Sequence, residues 1–152
     1  MSLISFLVLG LMLSLARQTT RGDRGIRNEQ WLKKDLKGTE LRGKYLGIVG
    51  LGNIGKRLGR LARALNMNII GYDVVPIDEE FSKEVGLMKA DLNTLLQSAD
   101  YVSIHVPLLD STYHLIDAQK MSTMKKTAKI INTSRGGVVD EDALYDALKN
   151  GN

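Results

Sequence analysis

Four apolar runs punctuate the later part of the chain: "YLGIV" from Tyr45, "NIIGYD" from Asn68, "YVSIHV" from Tyr101 and "KIINT" from Lys129. Three are continuous or nearly so in apolar residues, and "YVSIHV" alternates. Together they suit strands buried on both faces of a parallel sheet. The segments between them are amphipathic or polar and long enough for crossover helices, and right-handed crossovers then give a doubly wound α/β sheet. The pattern predicts parallel strands near residues 44–49, 69–73, 101–106 and 129–133, in the spatial order 3-2-1-4, with room for a short strand or turn near "GLMKA". The clearest helix lies between the first two strands. There Ile54, Leu58, Leu61 and Leu65 fall on one face, with Lys56, Arg57, Arg60 and Arg63 turned away from it.

The chain opens differently. "LISFLVLGLMLSLA" is apolar almost throughout, yet no Lys or Arg precedes it and no small-x-small cleavage pattern follows, as a signal peptide would require. At about 14 residues it is also shorter than the roughly 20 of a membrane span. The expectation is a helix covered by protein on all sides, made to pack on something beyond this chain. The polar stretch "ARQTTRGDRGIRNEQWLKKDLKGTELRGK" then reads as an irregular connector, with a short helix around "IRNEQW" and Trp31 tacking it down. Residues 1–43 are thus a leading helix and connector, and residues 44–152 a core.

Composition narrows the function classes. A chain of 152 residues suits one domain, and 43% hydrophobic with 25% charged residues is ordinary for a soluble protein. The net charge of +4 is spread through helical patterns and only eight residues are aromatic, which argues against a nucleic-acid surface. No cysteine is present, so disulfides and thiolate metal sites are excluded, and the simplest compartment is cytosolic. The two histidines, His105 and His114, are too few and too badly spaced for zinc.

The chemistry begins where the first strand meets the first clear helix. Gly50, Gly52 and Gly55 make G-x-G-x-x-G after a strand and at the opening of a helix. Gly50 permits the tight turn, Gly52 lets backbone approach a pyrophosphate, and Gly55 lets helix and strand pack closely. The helix N-terminus offers free N–H groups, from Asn53 and Ile54, and about half a positive charge. Asp73 ends the second run 23 positions after Gly50. A carboxylate there accepts from the 2′ and 3′ hydroxyls of an adenosine ribose and repels a 2′-phosphate. Residues 74–77, "VVPI", hold no Arg to receive that phosphate, so the expected cofactor is NAD and not NADP.

Three separated motifs, "VGLGNIG" with its downstream Asp, "HVPLLDSTYHLI" and "INTSRGGVVDEDAL", then come in order. With them the chain resembles the D-2-hydroxyacid dehydrogenases from about Leu9 onward, most of all their phosphoglycerate dehydrogenase branch. The resemblance implies a Rossmann-type domain inserted within a substrate domain, and a leading helix that packs in a homodimer interface. It implies that the backbone of Asn53 and Ile54 contacts pyrophosphate and that Asp73 binds the adenosine ribose. Val106 and Pro107 would lie along the adenine-side ribose, with Thr112 near the phosphates. Thr133 and Ser134 would line the nicotinamide pocket, and Arg135 would bind the carboxylate and keto oxygen of a small 2-keto acid, 3-phosphoglycerate or a similar acid being the expected partner. A guanidinium fork suits that task, being planar, permanently charged and able to donate two parallel hydrogen bonds.

The same resemblance implies that the catalytic His and its Glu, the later strands of the core and the substrate domain fall outside residues 1–152, so this chain alone would turn over slowly or not at all. His105, His114 and Glu141 do not fill the vacancy: the first two match positions without catalytic role, and Glu141 reads as the acidic first turn of a helix. A different class of function stays open at this level, a non-catalytic NAD-dependent binding module like the family's corepressor relatives.

Overall fold

The computed structural model describes residues 3–151. Five parallel strands form one sheet: β1 (Tyr45–Val49), β2 (Asn68–Tyr72), β3 (Leu87–Lys89), β4 (Tyr101–Ile104) and β5 (Lys129–Asn132). Their order is β3-β2-β1-β4-β5, every neighbouring pair being parallel. The Rossmann-type sheet is therefore present, with one correction to the expected order. Position three belongs to the three-residue strand inside "GLMKA", and the run from Tyr101 lies beside β1 instead of at the edge. Leu87–Lys89 is too short to announce itself by periodicity, but it pairs with Ile69–Gly71 and ends the sheet on that side.

Helices cover both faces. On one lie α1 (Leu3–Arg17), α3 (Asn53–Ala64) and α4 (Glu79–Val85). Their core joins Val8, Met12, Leu46, Ile48, Leu58, Ile69, Phe81 and Tyr101. On the other lie α5 (Leu92–Ser98), α6 (Ala118–Thr123) and α7 (Glu141–Lys149), over Val49, Leu95, Leu96, Val102, Ile104, Ile116 and Val138. Central strands sandwiched this way bury both sets of side chains, which is why the runs read as apolar and not as alternating. Tyr101 to Ile104 are all buried, Ser103 included.

The sequence expectations for the helices need three corrections. In α3 the residues fully buried are Gly55, Leu58, Gly59 and Ala62, while Ile54, Leu61 and Leu65 are half-buried along its margin. The connector's helix is α2 (Thr19–Arg27), entered through Gln18 in the left-handed region, and it ends before most of "IRNEQW". Trp31 does not pin the connector; it is 77% exposed. The pinning is done by Thr39, whose N–H donates to Ala16 O at 2.8 Å, and by Leu41, buried in the first core.

α1 buries only one stripe, Ser5, Val8, Met12 and Ala16, against α3 and β5. Spacings of three and four residues put those positions on one face. The remaining faces leave Leu3, Phe6, Leu7, Leu11, Leu13 and Leu15 between 40% and 72% exposed. The expected cover on all sides is thus not supplied by residues 3–151 themselves. No single helix among the described residues is long and apolar enough to cross a membrane.

Candidate functional site: the carboxyl edge of the sheet

Because every strand is parallel, the carboxyl ends of β2, β1, β4 and β5 share one edge. Tyr72, Val49, Ile104 and Asn132 stand in register across it. At about 4.8 Å per strand the row is about 14 Å wide, and each residue named from the sequence follows one of its strands. In a doubly wound sheet the crevice opens where the winding reverses, here between β1 and β4.

The glycine turn forms the middle of this edge. Gly50 sits at φ +94, with its N–H donating to Tyr72 O at 2.9 Å, and a Cβ on it would come within 2.8 Å of His105 O. Any side chain there would be strained and would collide with the end of β4. A Cβ on Gly55 would lie 2.1 Å from Gly50 O, so α3 can pack this close only without one. Gly52 is the opposite case: nothing stands within 4 Å of where its Cβ would be, and it caps α3 without any side-chain hydrogen bond. The start of α3, at Gly52 and the exposed Asn53, therefore opens onto bare space. Bare backbone, open space and the positive end of a 12-residue helix are what a pyrophosphate requires, so the residues present fit a dinucleotide.

Asp73 follows β2 and is tied to that turn. Its Oδ2 accepts from Leu51 N–H at 2.6 Å and its Oδ1 from Val75 N–H at 3.0 Å. Two backbone donors fix the carboxylate and leave about two of its lone-pair sites for ribose hydroxyls. Val74 and Val75, highly exposed, stand beside it with no cation among them.

After β4, His105 N–H donates to Val49 O at 2.7 Å, and Ser103 Oγ lies 2.9 Å from His105 Nε2. Burial pushes the imidazole down to about 4, so it is neutral near pH 7. Val106 is half-buried and would lie 3.0 Å from a Cβ on Gly50, which sets it against the glycine turn, with Pro107 exposed next to it. Thr112 belongs to a 3-10 turn over Asp110–Thr112. Its hydroxyl donates to Pro107 O at 2.6 Å and accepts from Leu109 N–H at 2.8 Å, closing the loop that carries Pro107. His114 takes a positive φ and lies 3.5 Å from Asp140, the N-cap of α7.

After β5 come Thr133, Ser134 and Arg135. Thr133 Oγ1 is buried with no hydrogen-bond partner, an orphaned polar atom at the edge where a ligand group would satisfy it. Arg135 is exposed, donates once to Ser134 O at 2.9 Å, and has no carboxylate partner among the described residues. Most of its five donors are free for a planar anion. Glu141 is in the first turn of α7, and no group of His, Cys, Asp or Glu among the described residues could hold a metal ion. Asn132, outside the residues expected at the site, makes three hydrogen bonds with its amide within this loop; Asn-x-Ser at a strand end is turn chemistry and is the signal that marks it.

Residues 9–152 match the D-isomer specific 2-hydroxyacid dehydrogenase, NAD binding domain. The chain belongs to this family. Its cofactor is accordingly NAD. The chain is 43% identical over 149 residues to the D-3-phosphoglycerate dehydrogenase of Methanocaldococcus jannaschii, covering 97% of this chain and 28% of that protein. It is 41% identical to the hydroxypyruvate reductase of Thermotoga maritima, covering 97% of this chain and 47% of that protein. Among solved structures, the D-lactate dehydrogenase of Aquifex aeolicus complexed with NAD and lactic acid superposes with a TM-score of 0.91 at 34% identity, over 97% of this chain and 44% of that one. The chain spans less than half the length of these relatives. It is similar to several members of the 2-hydroxyacid dehydrogenases whose names carry different substrates.

Proposed function

We propose that residues 3–151 form the cofactor half of an NAD-dependent 2-hydroxyacid dehydrogenase, and that Arg135 is its contribution to the substrate site. When bound, NAD supplies the hydride-accepting ring; the chain's residues bind and orient it. The amides of Asn53 and Ile54, with Gly50, Gly52 and Gly55 clearing the way, receive the pyrophosphate. Asp73 takes the adenosine ribose and disfavours a 2′-phosphate. Val106 and Pro107 flank that ribose, Thr112 shapes the loop beside the phosphates, and Thr133 and Ser134 line the nicotinamide end. Arg135 clamps the carboxylate of a small 2-keto acid and polarises its carbonyl.

The observation that carries this reading is the meeting of a bare helix N-terminus, a fixed carboxylate and an unpaired guanidinium on one edge of one sheet. The names of the relatives, D-3-phosphoglycerate dehydrogenase, hydroxypyruvate reductase and D-lactate dehydrogenase, share 2-hydroxy or 2-keto acid chemistry and support the substrate class, a small phosphorylated acid such as 3-phosphoglycerate being one member. In this reading His105, His114 and Glu141 are not general acids, so residues 3–151 are expected to bind cofactor and to turn over slowly or not at all. The exposed leucines and Phe6 of α1 support a homodimer formed through that helix.

Thermal unfolding with excess NADH, with NADPH and with neither tests the proposal. At about 100 times its dissociation constant a ligand stabilises by about 2.7 kcal/mol, a rise of about 5–10 °C for a chain of this length. A rise with NADH and little with NADPH supports the cofactor site and the role of Asp73. No rise with either contradicts both.

A further inference from the structure

We propose that Asn132 is a positioning residue for Arg135, holding the arginine's backbone so that the guanidinium leaves the sheet at a fixed angle. This rests on the reading of Arg135 as the substrate clamp. Arg135 follows the last strand on an exposed loop, and its long side chain has no ion-pair partner to orient it. Something else must set its starting direction, because a long arginine side chain loses much rotamer freedom when it is fixed.

The Asn132 amide grips the turn on both sides. Its Oδ1 accepts from Ser134 N–H at 3.0 Å and from Ser134 Oγ at 2.7 Å, while its Nδ2 donates to Arg135 O at 2.8 Å. The Ser134 N–H facing Oδ1 and the Arg135 carbonyl facing Nδ2 fix the amide's orientation, since the flipped amide would lose both of those bonds and could pair only with the Ser134 hydroxyl. Arg135 O is shared with a longer bond from Val138 N–H at 3.3 Å, so the amide is its nearer partner. Beyond Gly136 the loop is fastened by a separate ribbon: His114 N–H donates to Gly137 O at 2.8 Å and Ile116 N–H to Val138 O at 3.2 Å. Ile116 and Val139 form the matching parallel bridge.

The segment carrying Arg135 is thus anchored at two ends, by the 114–116 ribbon downstream and by one side chain upstream. Asn132 itself ends β5 in register with Ile104, so the anchor is part of the rigid sheet. Neither glutamine nor aspartate reproduces it. Glutamine carries the amide one carbon too far, and aspartate keeps the acceptor for Ser134 but sets an anionic oxygen against the Arg135 carbonyl.

The test uses the 152-residue chain with Asn132→Ala and Asn132→Asp. Two quantities are measured: NADH affinity by fluorescence, and affinity of the NADH complex for oxamate, a planar carboxylate that stands in for a 2-keto acid. Asn132→Ala should weaken oxamate by about 10- to 100-fold, the scale of a misplacement near 1 Å, and leave NADH within about twofold. Asn132→Asp should lose nearly as much, because the donation to Arg135 O is lost in both. Hydrogen exchange of the Ser134 amide and the Nε–Hε resonance of Arg135 are read alongside, without substrate. Asn132→Ala should speed that exchange at least about tenfold and shift or broaden that resonance.

Equal losses for NADH and oxamate would overturn the proposal, since the residue would then support the whole pocket. So would an unchanged Ser134 amide and Arg135 resonance. If the wild-type chain binds NADH but no oxamate, Arg135 does not hold the carboxylate by itself, and the two resonance measurements alone decide whether Asn132 holds the turn.

Discussion

Five helices of this domain begin on the surface of the sheet, and one of them begins unlike the others. α4, α5, α6 and α7 each start on an aspartate, Asp78, Asp91, Asp117 and Asp140, whose carboxylate accepts from backbone N–H groups in the first turn. α3 starts on Gly52, with no side chain at all. A capping carboxylate satisfies orphan amides and complements the helix dipole, a gain of about 1 kcal/mol. The sequence forgoes that gain at the one helix that opens onto the crevice, where Gly52 has bare space above it. The difference teaches that the anion for α3 is meant to come from outside the chain, and membership of an NAD-binding family says which anion it is.

The largest expected effect comes from making α3 resemble its neighbours. Gly52→Asp fits sterically, at φ −69 with nothing within 4 Å. It should leave the free protein as stable or raise its thermal midpoint, yet a fixed charge about 4 Å from the pyrophosphate costs about 4 kcal/mol at an effective dielectric near 20. NADH affinity should fall several hundredfold by titration. A variant that bound NADH normally would break the comparison.

The second effect separates the two kinds of terminus by pH. The folded His105 titrates at about 4 against an ordinary 6.5, so between those values the unfolded chain takes up a proton that the folded chain refuses. Stability is full above pH 6.5 and should fall by roughly 3 kcal/mol as pH drops to about 4. The capping carboxyls Asp78 and Asp117 are held low first by hydrogen bonds from Lys56 and Lys120, and Asp91 by the Thr94 amide. Their contribution is lost only as pH falls below the ordinary carboxylate value. The burial of His105 should therefore cost stability before the caps lose theirs. Urea midpoints from pH 7 to 4, against His105→Gln, would check this, and identical curves would contradict it.

Much of this contrast is legible in the sequence, and the exceptions are physical. G-x-G-x-x-G and Asp73 stand out because close backbone approach admits few residue types. β1, β2, β4 and β5 were visible because burial on both faces writes unbroken apolar runs. β3 is legible only as room for a short strand or turn near "GLMKA", since three residues on a sheet edge carry no period, and leaving it out of the count misassigns the strand order. α2 was misplaced because "TTRGDRGIR", with its glycines and threonines, has poor helix propensity and is held by its neighbours. The exposed faces of α1 could not be read, because an apolar sequence does not say which neighbour is present. Asn132 was overlooked because an asparagine at a strand end is ordinary, and its value lies in which carbonyl its amide meets.

Smaller effects sharpen the comparison further. Asp73→Asn removes the charge and keeps only one of the two backbone hydrogen bonds, because its NH2 cannot accept from the other N–H. NADH affinity should fall by about 2 kcal/mol, roughly 30-fold, while NADPH is spared, so the ratio of the two affinities narrows. An unchanged ratio would remove Asp73 from the ribose. Asp91→Ala is the control at an ordinary cap. It should cost about 1 kcal/mol, or about 2–4 °C, and leave NADH affinity untouched.

The central claim is that the first-turn amides of α3 are kept free for the cofactor's phosphates. Nitrogen-15 amide spectra of the chain, titrated with NADH, test it most directly. The account predicts the largest shifts at Asn53, Ile54 and Gly55, with Leu51 and Val75 following through Asp73, and little change at Thr94 or Ala143, whose amides already have aspartate partners. Shifts spread evenly over the capped helices, or none at Asn53–Gly55 while NADH binds, would contradict it.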